Sequence, residues 1–336
     1  MQRMNRNPSP CDPTTLAWPG VSPAQARPPA VSVVIPARNA ALTLAQTLLS
    51  VQRQHFCDWE AIVVDDGSTD VTDRIVAEAA RDDGRFRRLH TPGLGVSAAR
   101  NAGVAAARGA LIAFLDADDL WLPDKLGAHV DQFAAAPDVG LSFSRVAFVD
   151  VHGRPTGVLS TERVQGLRPS DLLYENPACT ASTLVVRRRL LEEIGGFDEQ
   201  MRFAEDLELM LRAACRTRWG IEGLPRVLVH YRASPRGASA ALPAMQAGWE
   251  TLLDKVRGYA PEIARRHGAA ARAVHLRYLA RRALRLGQPA PQGLRFFAQA
   301  VANSPWALLR EPRRTFGTLV ALLMHLLRLR PAATDT

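Results

Sequence analysis

Val31-Ser32-Val33-Val34-Ile35, stopped by Pro36, and Glu60-Ala61-Ile62-Val63-Val64, closed by Asp65-Asp66-Gly67-Ser68, flank a segment from Leu42 to Val51. In that segment Leu42, Ala45, Leu48 and Leu49 recur at helical spacing. Two β-branched runs joined by a helix within about 35 residues read as a βαβ unit, so the strands run parallel. The alternation continues through a helix at Thr72–Ala80, a more polar strand at Phe86–His90, a helix at Ser97–Ala107 and the strand Leu111–Leu115. This is half of a doubly wound α/β domain, in which the loops beyond the carboxyl ends of the strands carry the ligand. Pro36-Ala37-Arg38-Asn39, Asp65-Asp66-Gly67-Ser68 and Asp116-Ala117-Asp118-Asp119 all stand at such ends. Pro36, Arg38, Asn39, Asp65 and Asp66 are therefore expected on one side of one sheet, together with the Asp116–Asp119 acids.

Past Asp119 the pattern predicts a helix from Pro123 to Ala135, strands near Gly140–Asp150 and Thr183–Val186, and helices around Arg188–Ile194 and Asp206–Ala214. This reads as the second half of the same domain, spanning 31–240. Residues 1–30, rich in Pro, polar and small side chains, read as a disordered leader. From Ala241 the chain is helical and Ala/Leu/Arg-rich, with breaks at Pro261, Gly287–Pro291, Pro305 and Pro312, so 241–336 reads as a basic helical unit.

Charge sharpens that division. Residues 241–336 hold 15 Lys and Arg against 5 Asp and Glu, whereas the first 240 hold 27 against 28, so the net charge of +9 belongs to the last part alone. Such a charge, next to apolar stretches such as Leu319–Leu323, suits peripheral contact with an anionic membrane or a solvated basic face. No recognition motif accompanies it, so nucleic acid is not expected as a partner. The apolar run between Arg314 and Arg328 is too short to span a bilayer, which takes about 20 residues. Four cysteines (Cys11, Cys57, Cys179, Cys215) lack C-x-x-C spacing and suggest neither a disulfide framework nor a zinc site. The opening MQRMNRNPSPCDPTT has no apolar signal core, so a cytoplasmic location is expected, with peripheral contact on the inner face of the membrane.

Asp116-x-Asp118 places two carboxylates on one turn after an apolar strand. Hard divalent ions such as Mg²⁺ or Mn²⁺ are held by one or two such groups while a substrate phosphate supplies further oxygens. A carboxylate and a phosphate about 4 Å apart repel by roughly 4 kcal/mol at an effective dielectric near 20, and a cation between them reverses the sign. A solvated loop has the same sequence, and the Asp65–Asp70 cluster reads equally as a helix cap. Arg100 and Asn101 follow a Gly-rich turn, where a guanidinium can approach a diphosphate. Asp206 lies near a helix start, off the stripe Phe203, Leu207, Met210, Leu211 and Ala214, where the helix dipole favours the anion.

Five ordered motifs then resemble the family 2 glycosyltransferases of the GT-A fold. They are Val33–Asn39, Ile62–Asp70, Gly95–Gly103, Phe114–Asp119, and Gly195-Gly196-Phe197-Asp198-Glu199 continuing to Phe203–Leu209. The resemblance covers 31 to about 240. It implies a Rossmann-like mixed sheet flanked by helices, followed here by a C-terminal helical extension. It places the nucleotide-base site at Pro36 and Asp66, a ribose or donor-sugar contact at Asp116, the metal ligand at Asp118 and the catalytic base at Asp206. It further implies inverting transfer from a nucleoside-diphosphate sugar, UDP-linked, to a saccharide or lipid-linked acceptor in cell-surface polysaccharide or lipopolysaccharide assembly.

A rival reading starts from Gly93-Leu94-Gly95-Val96-Ser97-Ala98, which fits G-x-G-x-x-A with an acid about 20 residues on, as in NAD(P)-dependent oxidoreductases. That fingerprint normally follows the first strand, and here it follows the third. A non-catalytic nucleotide-sugar-binding protein is the other alternative.

Overall fold

A computed structural model describes residues 27–232 and 240–328. The expected leader lies almost wholly outside the described residues, as do residues 233–239, whose Ser, Gly and Pro content reads from the sequence as a loop. The described residues divide into two compact units: those within Met1–Leu167 and Pro177–Ala233, and those within Arg168–Asn176 and Ser234–Thr336.

The first unit is built on one mixed sheet. Strands β1 (Val31–Ala37), β2 (Trp59–Asp66), β3 (Phe86–Thr91) and β4 (Leu111–Phe114) form its parallel half, in the order β3-β2-β1-β4. Helices α1 (Leu44–Gln52), α2 (Thr72–Asp82) and α3 (Val96–Ala106) connect them. Every residue of β1 and β2 is buried, as expected for strands covered on both faces. On α3, a Cβ at Gly103 would lie 2.4 Å from Val34 Cγ1, so glycine is what lets this helix approach β1.

The other half adds β5 (Leu120–Trp121), β6 (Val139–Val149), β7 (Pro155–Leu159), β8 (Val185–Arg187) and β9 (Gly220–Arg232). The order beyond β4 is β8-β6-β9-β5, with β7 paired to β6; β4 and β8 are antiparallel, and β6 and β9 parallel. Helices α4 (Lys125–Ala135), α6 (Arg188–Ile194) and α7 (Glu205–Arg216) flank it, with α5 (Pro169–Tyr174) between α4 and α6 in the chain. Two sequence expectations shift. The strand expected at Thr183–Val186 begins only at Val185, because Thr180 accepts the backbone N–H of Ser182 and folds Ala181–Thr183 into a 3₁₀ turn. Cys57 is disulfide-bonded, although the cysteine spacing suggested no disulfide framework, while Cys179 and Cys215 are free thiols.

The second unit comprises α5 with α8 (Leu242–Tyr259), α9 (Pro261–Arg285), α10 (Ala290–Asn303), α11 (Pro305–Leu309) and α12 (Pro312–Arg328). Leu276, Leu279, Phe296, Phe297, Leu308 and Leu322 form its core. Tyr174 on α5 meets His267 on α9, hydroxyl to Nδ1, at 3.1 Å. Among the described residues no helix is long and apolar enough to cross a membrane.

Candidate functional site

The register aligns the carboxyl ends of the first three strands, with Ala37 opposite Asp65 and Asp66 opposite Thr91. Val34 lies opposite Phe114, so Asp116 emerges beside the end of β1. The polar clusters thus share one edge, as the alternation requires.

The three carboxylates of the β4 loop have different surroundings. Asp116 accepts from Arg100 Nη2 at 2.6 Å and Thr180 Oγ1 at 3.1 Å, and its backbone N–H donates to Ser182 Oγ. Asp119 is buried; it accepts from Ser182 Oγ at 2.6 Å and from the backbone N–H of Arg232 at 2.9 Å, which ties the loop to the end of β9. Asp118 is exposed, and no side chain among the described residues donates to its carboxyl. Loss of solvent around that carboxyl, then the charge of Asp116, push its pKa up to about 6, with Arg232 pulling the other way. Hard oxygens, accumulated negative charge and one uncommitted carboxylate fit a divalent cation.

A second acidic group, Asp65, Asp73 and His90, has its ligand atoms within 4.8 Å of one another. Its carboxylates already have partners: Arg88 bonds Asp73, and the His90 ring nitrogens lie 3.1 Å from Asp73 and 3.4 Å from Asp65. It is a side-chain network of the β2–β3 edge, whereas no side chain among the described residues bonds the Asp118 carboxyl.

Arg100 is the hub. Its side chain is buried, with Nη1 on Glu205 at 2.8 Å and Nη2 on Asp116. The two carboxylates raise its pKa against the opposing effect of burial. Its guanidinium is thus engaged by the protein's own acids. Neighbouring Asn101 donates to the carbonyl of Phe197 and accepts its N–H, docking the Gly195–Glu199 motif onto α3. A Cβ on Gly196 would come 2.6 Å from Asn101 Oδ1. Asp206 follows Glu205 at the start of α7, almost buried, with its carboxyl accepting the N–H of Leu207 at 2.8 Å. The D-x-D turn and the Glu205-Asp206 pair are therefore joined through one guanidinium.

At the other end of the edge Asn39, in the left-handed region, accepts the backbone N–H of Thr69 at 2.8 Å and so links the loops after β1 and β2. Asp65 accepts the N–H of Ser68, and Pro36 is buried in β1. Asp66 accepts from Thr91 Oγ1 and from the N–H groups of Leu94 and Gly95 at 2.7–2.8 Å. Burial opposes its ionisation, but those bonds and the charge of Arg38 outweigh it and lower its pKa. The exposed Arg38 guanidinium lies against Gly93. Two N–H groups of the Gly93–Gly95 turn thus already serve Asp66, which removes the main support for reading that turn as a pyrophosphate cradle.

Several supports escaped the sequence reading. Thr43 and Thr47 at the start of α1 donate to the carbonyl of Ala117, and Thr47 also to that of Asp119. Thr180 and Ser182 hold the carboxylates; the run Thr180-Ala181-Ser182-Thr183 before an apolar strand was the available signal. Arg232 bonds the carbonyls of Asp118 and Val151 and the amide oxygen of Gln46, so it clamps the loop. Below it, Lys125 and His129 are fully buried: Lys125 Nζ meets Thr183 O at 2.9 Å and His129 Nε2 at 3.1 Å.

The family model described as Glycosyl transferase family 2 matches residues 32–195, which includes the D-x-D turn and stops short of Glu205-Asp206. The chain is 33% identical over 245 residues to the O-antigen biosynthesis protein RfbC of Myxococcus xanthus, covering 71% of this chain and 18% of that protein. It is 33% identical over 226 residues to the succinoglycan biosynthesis protein ExoO of Rhizobium meliloti, covering 62% and 63%. The chain thus spans less than two thirds of either relative. Among solved structures, S. aureus TarS 1–349 in complex with UDP-GlcNAc aligns with a TM-score of 0.58 at 18% identity, covering 88% of this chain and 89% of that one. The mannosyltransferase PcManGT from Pyrobaculum calidifontis, in complex with GDP-Man and Mn²⁺, aligns with a TM-score of 0.56 at 23% identity, covering 94% and 92%. The fold is the expected GT-A arrangement.

Proposed function

We propose that this protein, whose residues 32–195 match the family model described as Glycosyl transferase family 2, transfers a sugar from a nucleoside-diphosphate donor, UDP-linked, to a saccharide or lipid-linked acceptor with inversion. The relatives in O-antigen and succinoglycan biosynthesis, and the UDP-GlcNAc held by TarS, support a role in cell-surface polysaccharide assembly with a UDP-sugar. The observation that carries the proposal is Arg100, which joins Asp116 to Glu205 and so sets the donor loop beside the helix that begins at Asp206.

In this reading Pro36, Arg38, Asn39, Asp65 and Asp66 line the nucleotide end and Asp116 faces the ribose or donor sugar. Asp118 holds Mg²⁺ or Mn²⁺, which supplies charge neutralisation of the diphosphate. Arg100 acts as a positioning residue, fixing Asp116 and Glu205. Asp206 accepts the proton of the acceptor hydroxyl as its oxygen attacks the anomeric carbon; the bond to the diphosphate oxygen breaks, its electron pair leaves on the nucleoside diphosphate, and the configuration inverts. Residues 241–336 make peripheral contact with an anionic membrane at its cytoplasmic face.

The test is a panel of UDP-, GDP- and dTDP-sugars scored for nucleoside diphosphate release, with Mn²⁺ and with chelator. It is repeated for Asp118→Asn and Asp206→Asn, with the product anomer read by NMR. Release with one donor, lost with chelator and in both variants, is expected. Metal-independent release, or full activity in both variants, overturns the mechanism.

A further inference from the structure

We propose that the outward face of α12, continued by Trp306 and Leu309 of α11, is a docking surface for an anionic lipid bilayer. This rests on, and narrows, the peripheral contact assigned above to residues 241–336. Phe316, Val320, Leu323 and Leu327 recur at i, i+4, i+7 and i+11, which places them on one side of the helix. All four are exposed, Phe316 at 56% and Leu327 at 65%, and Trp306 nearby is 78% exposed. The opposite side is used by the bundle: Thr315, Thr318 and Leu322 are buried, and Arg277 bonds Thr315 and Glu311. The helix therefore does not need its outer face for packing.

The surrounding charge identifies the occupant. Residues 305–328 carry four arginines and one acid, and that acid, Glu311, is already paired with Arg277 and Arg314. Arg310 and Arg313 are exposed and form no ion pair among the described residues. Arg313 lies three and seven residues before Phe316 and Val320, at the margin of the apolar face. A second copy docked on this face brings like charges together, whereas phosphate headgroups complement them. A 17-residue helix with an aromatic and aliphatic side next to cationic residues lies in the plane of the interface and does not cross it.

Co-sedimentation of the full chain with vesicles tests this, using phosphatidylcholine alone and phosphatidylcholine mixed with phosphatidylglycerol. Binding to the mixed vesicles that weakens with added salt is expected. The double variant Phe316→Ser/Leu323→Ser binds at least about tenfold more weakly. Arg310→Glu/Arg313→Glu loses about tenfold on anionic vesicles only. Val158→Ser, an exposed apolar site on β7, binds as the unaltered chain does. Absence of binding to anionic vesicles overturns the proposal, as does equal loss in Val158→Ser. So does a dimer in light scattering that Phe316→Ser/Leu323→Ser dissolves while vesicle binding is unchanged. Nucleoside diphosphate release with a soluble acceptor is run in parallel; its failure in the unaltered chain counts against the transferase reading and leaves the vesicle result standing.

Discussion

Arg100 donates to Glu205 at 2.8 Å across 105 positions of sequence. With its other terminal nitrogen on Asp116, it joins the loop after β4 to the start of α7. Arg100→Ala leaves two largely buried carboxylates uncompensated, a change that typically costs about 3–5 kcal/mol. The expected result is a lower urea midpoint with an unchanged slope. Arg100→Lys presents one point charge where a fork is needed and falls between the two. If Arg100→Ala unfolds at the same midpoint as the unaltered chain, the bridge does not hold the site.

Asp118 and Asp119 are adjacent and are expected to respond in opposite ways to loss of charge. Among the described residues no side chain donates to the Asp118 carboxyl, and its nearest charge is the like charge of Asp116, so Asp118→Asn leaves the melting temperature of the metal-free protein unchanged or raised. Its Mn²⁺ affinity, followed by calorimetry, drops at least about tenfold as a hard anionic ligand is lost. Asp119→Ala removes the acceptor for Ser182 and for the N–H of Arg232, both buried, and lowers stability by about 1–3 kcal/mol.

Glu60 supplies a pH test remote from the Asp116–Asp119 loop. Burial opposes its ionisation, but bonds from Ser32, the N–H of Arg108, Arg87 and the Arg108 guanidinium lower its pKa below 4.5. A carboxylate lowered in the folded state adds stability above the unfolded value, and that contribution is lost as pH falls through the folded value. The melting temperature of the unaltered chain therefore declines below about pH 4.5. In Glu60→Gln the melting temperature is lower at pH 7, and this part of the decline is absent.

The parallel half of the sheet was legible because β1, β2 and β4 are buried on both faces and so read as unbroken apolar runs, and because each ends in a polar cluster. Gly103 was legible only as part of a motif; its reason, the approach of α3 to Val34, is a distance between elements. Arg100 was visible as a cation near a Gly-rich turn, yet its partners lie 16 and 105 positions away, and local periodicity carries no such information. The strand β7, exposed at every residue, has no hydrophobic pattern to betray it. Lys125 was unreadable for the opposite reason, since a lysine in a helical stretch ordinarily marks the solvent face.

Lys125 is one of only two lysines in the chain, and it is fully buried with Thr183 O and His129 as its contacts. Burial pushes its pKa well below 10.5, and burial followed by the Lys125 charge does the same to His129. A base whose pKa is lowered on folding gives stability that rises with pH up to its unfolded value, because the unfolded chain binds more protons. The unaltered protein should therefore gain stability as pH rises toward 10.5, and Lys125→Met should not gain that part. Methionine forfeits the bonds to Thr183 O and His129 Nε2, about 1–3 kcal/mol. Lys125→Arg is expected to be worse, since a guanidinium keeps its charge in a site without a counter-ion. Chemical denaturation of the three proteins at pH 7 and pH 9 ranks them; an arginine variant as stable as the methionine one refutes a neutral Lys125.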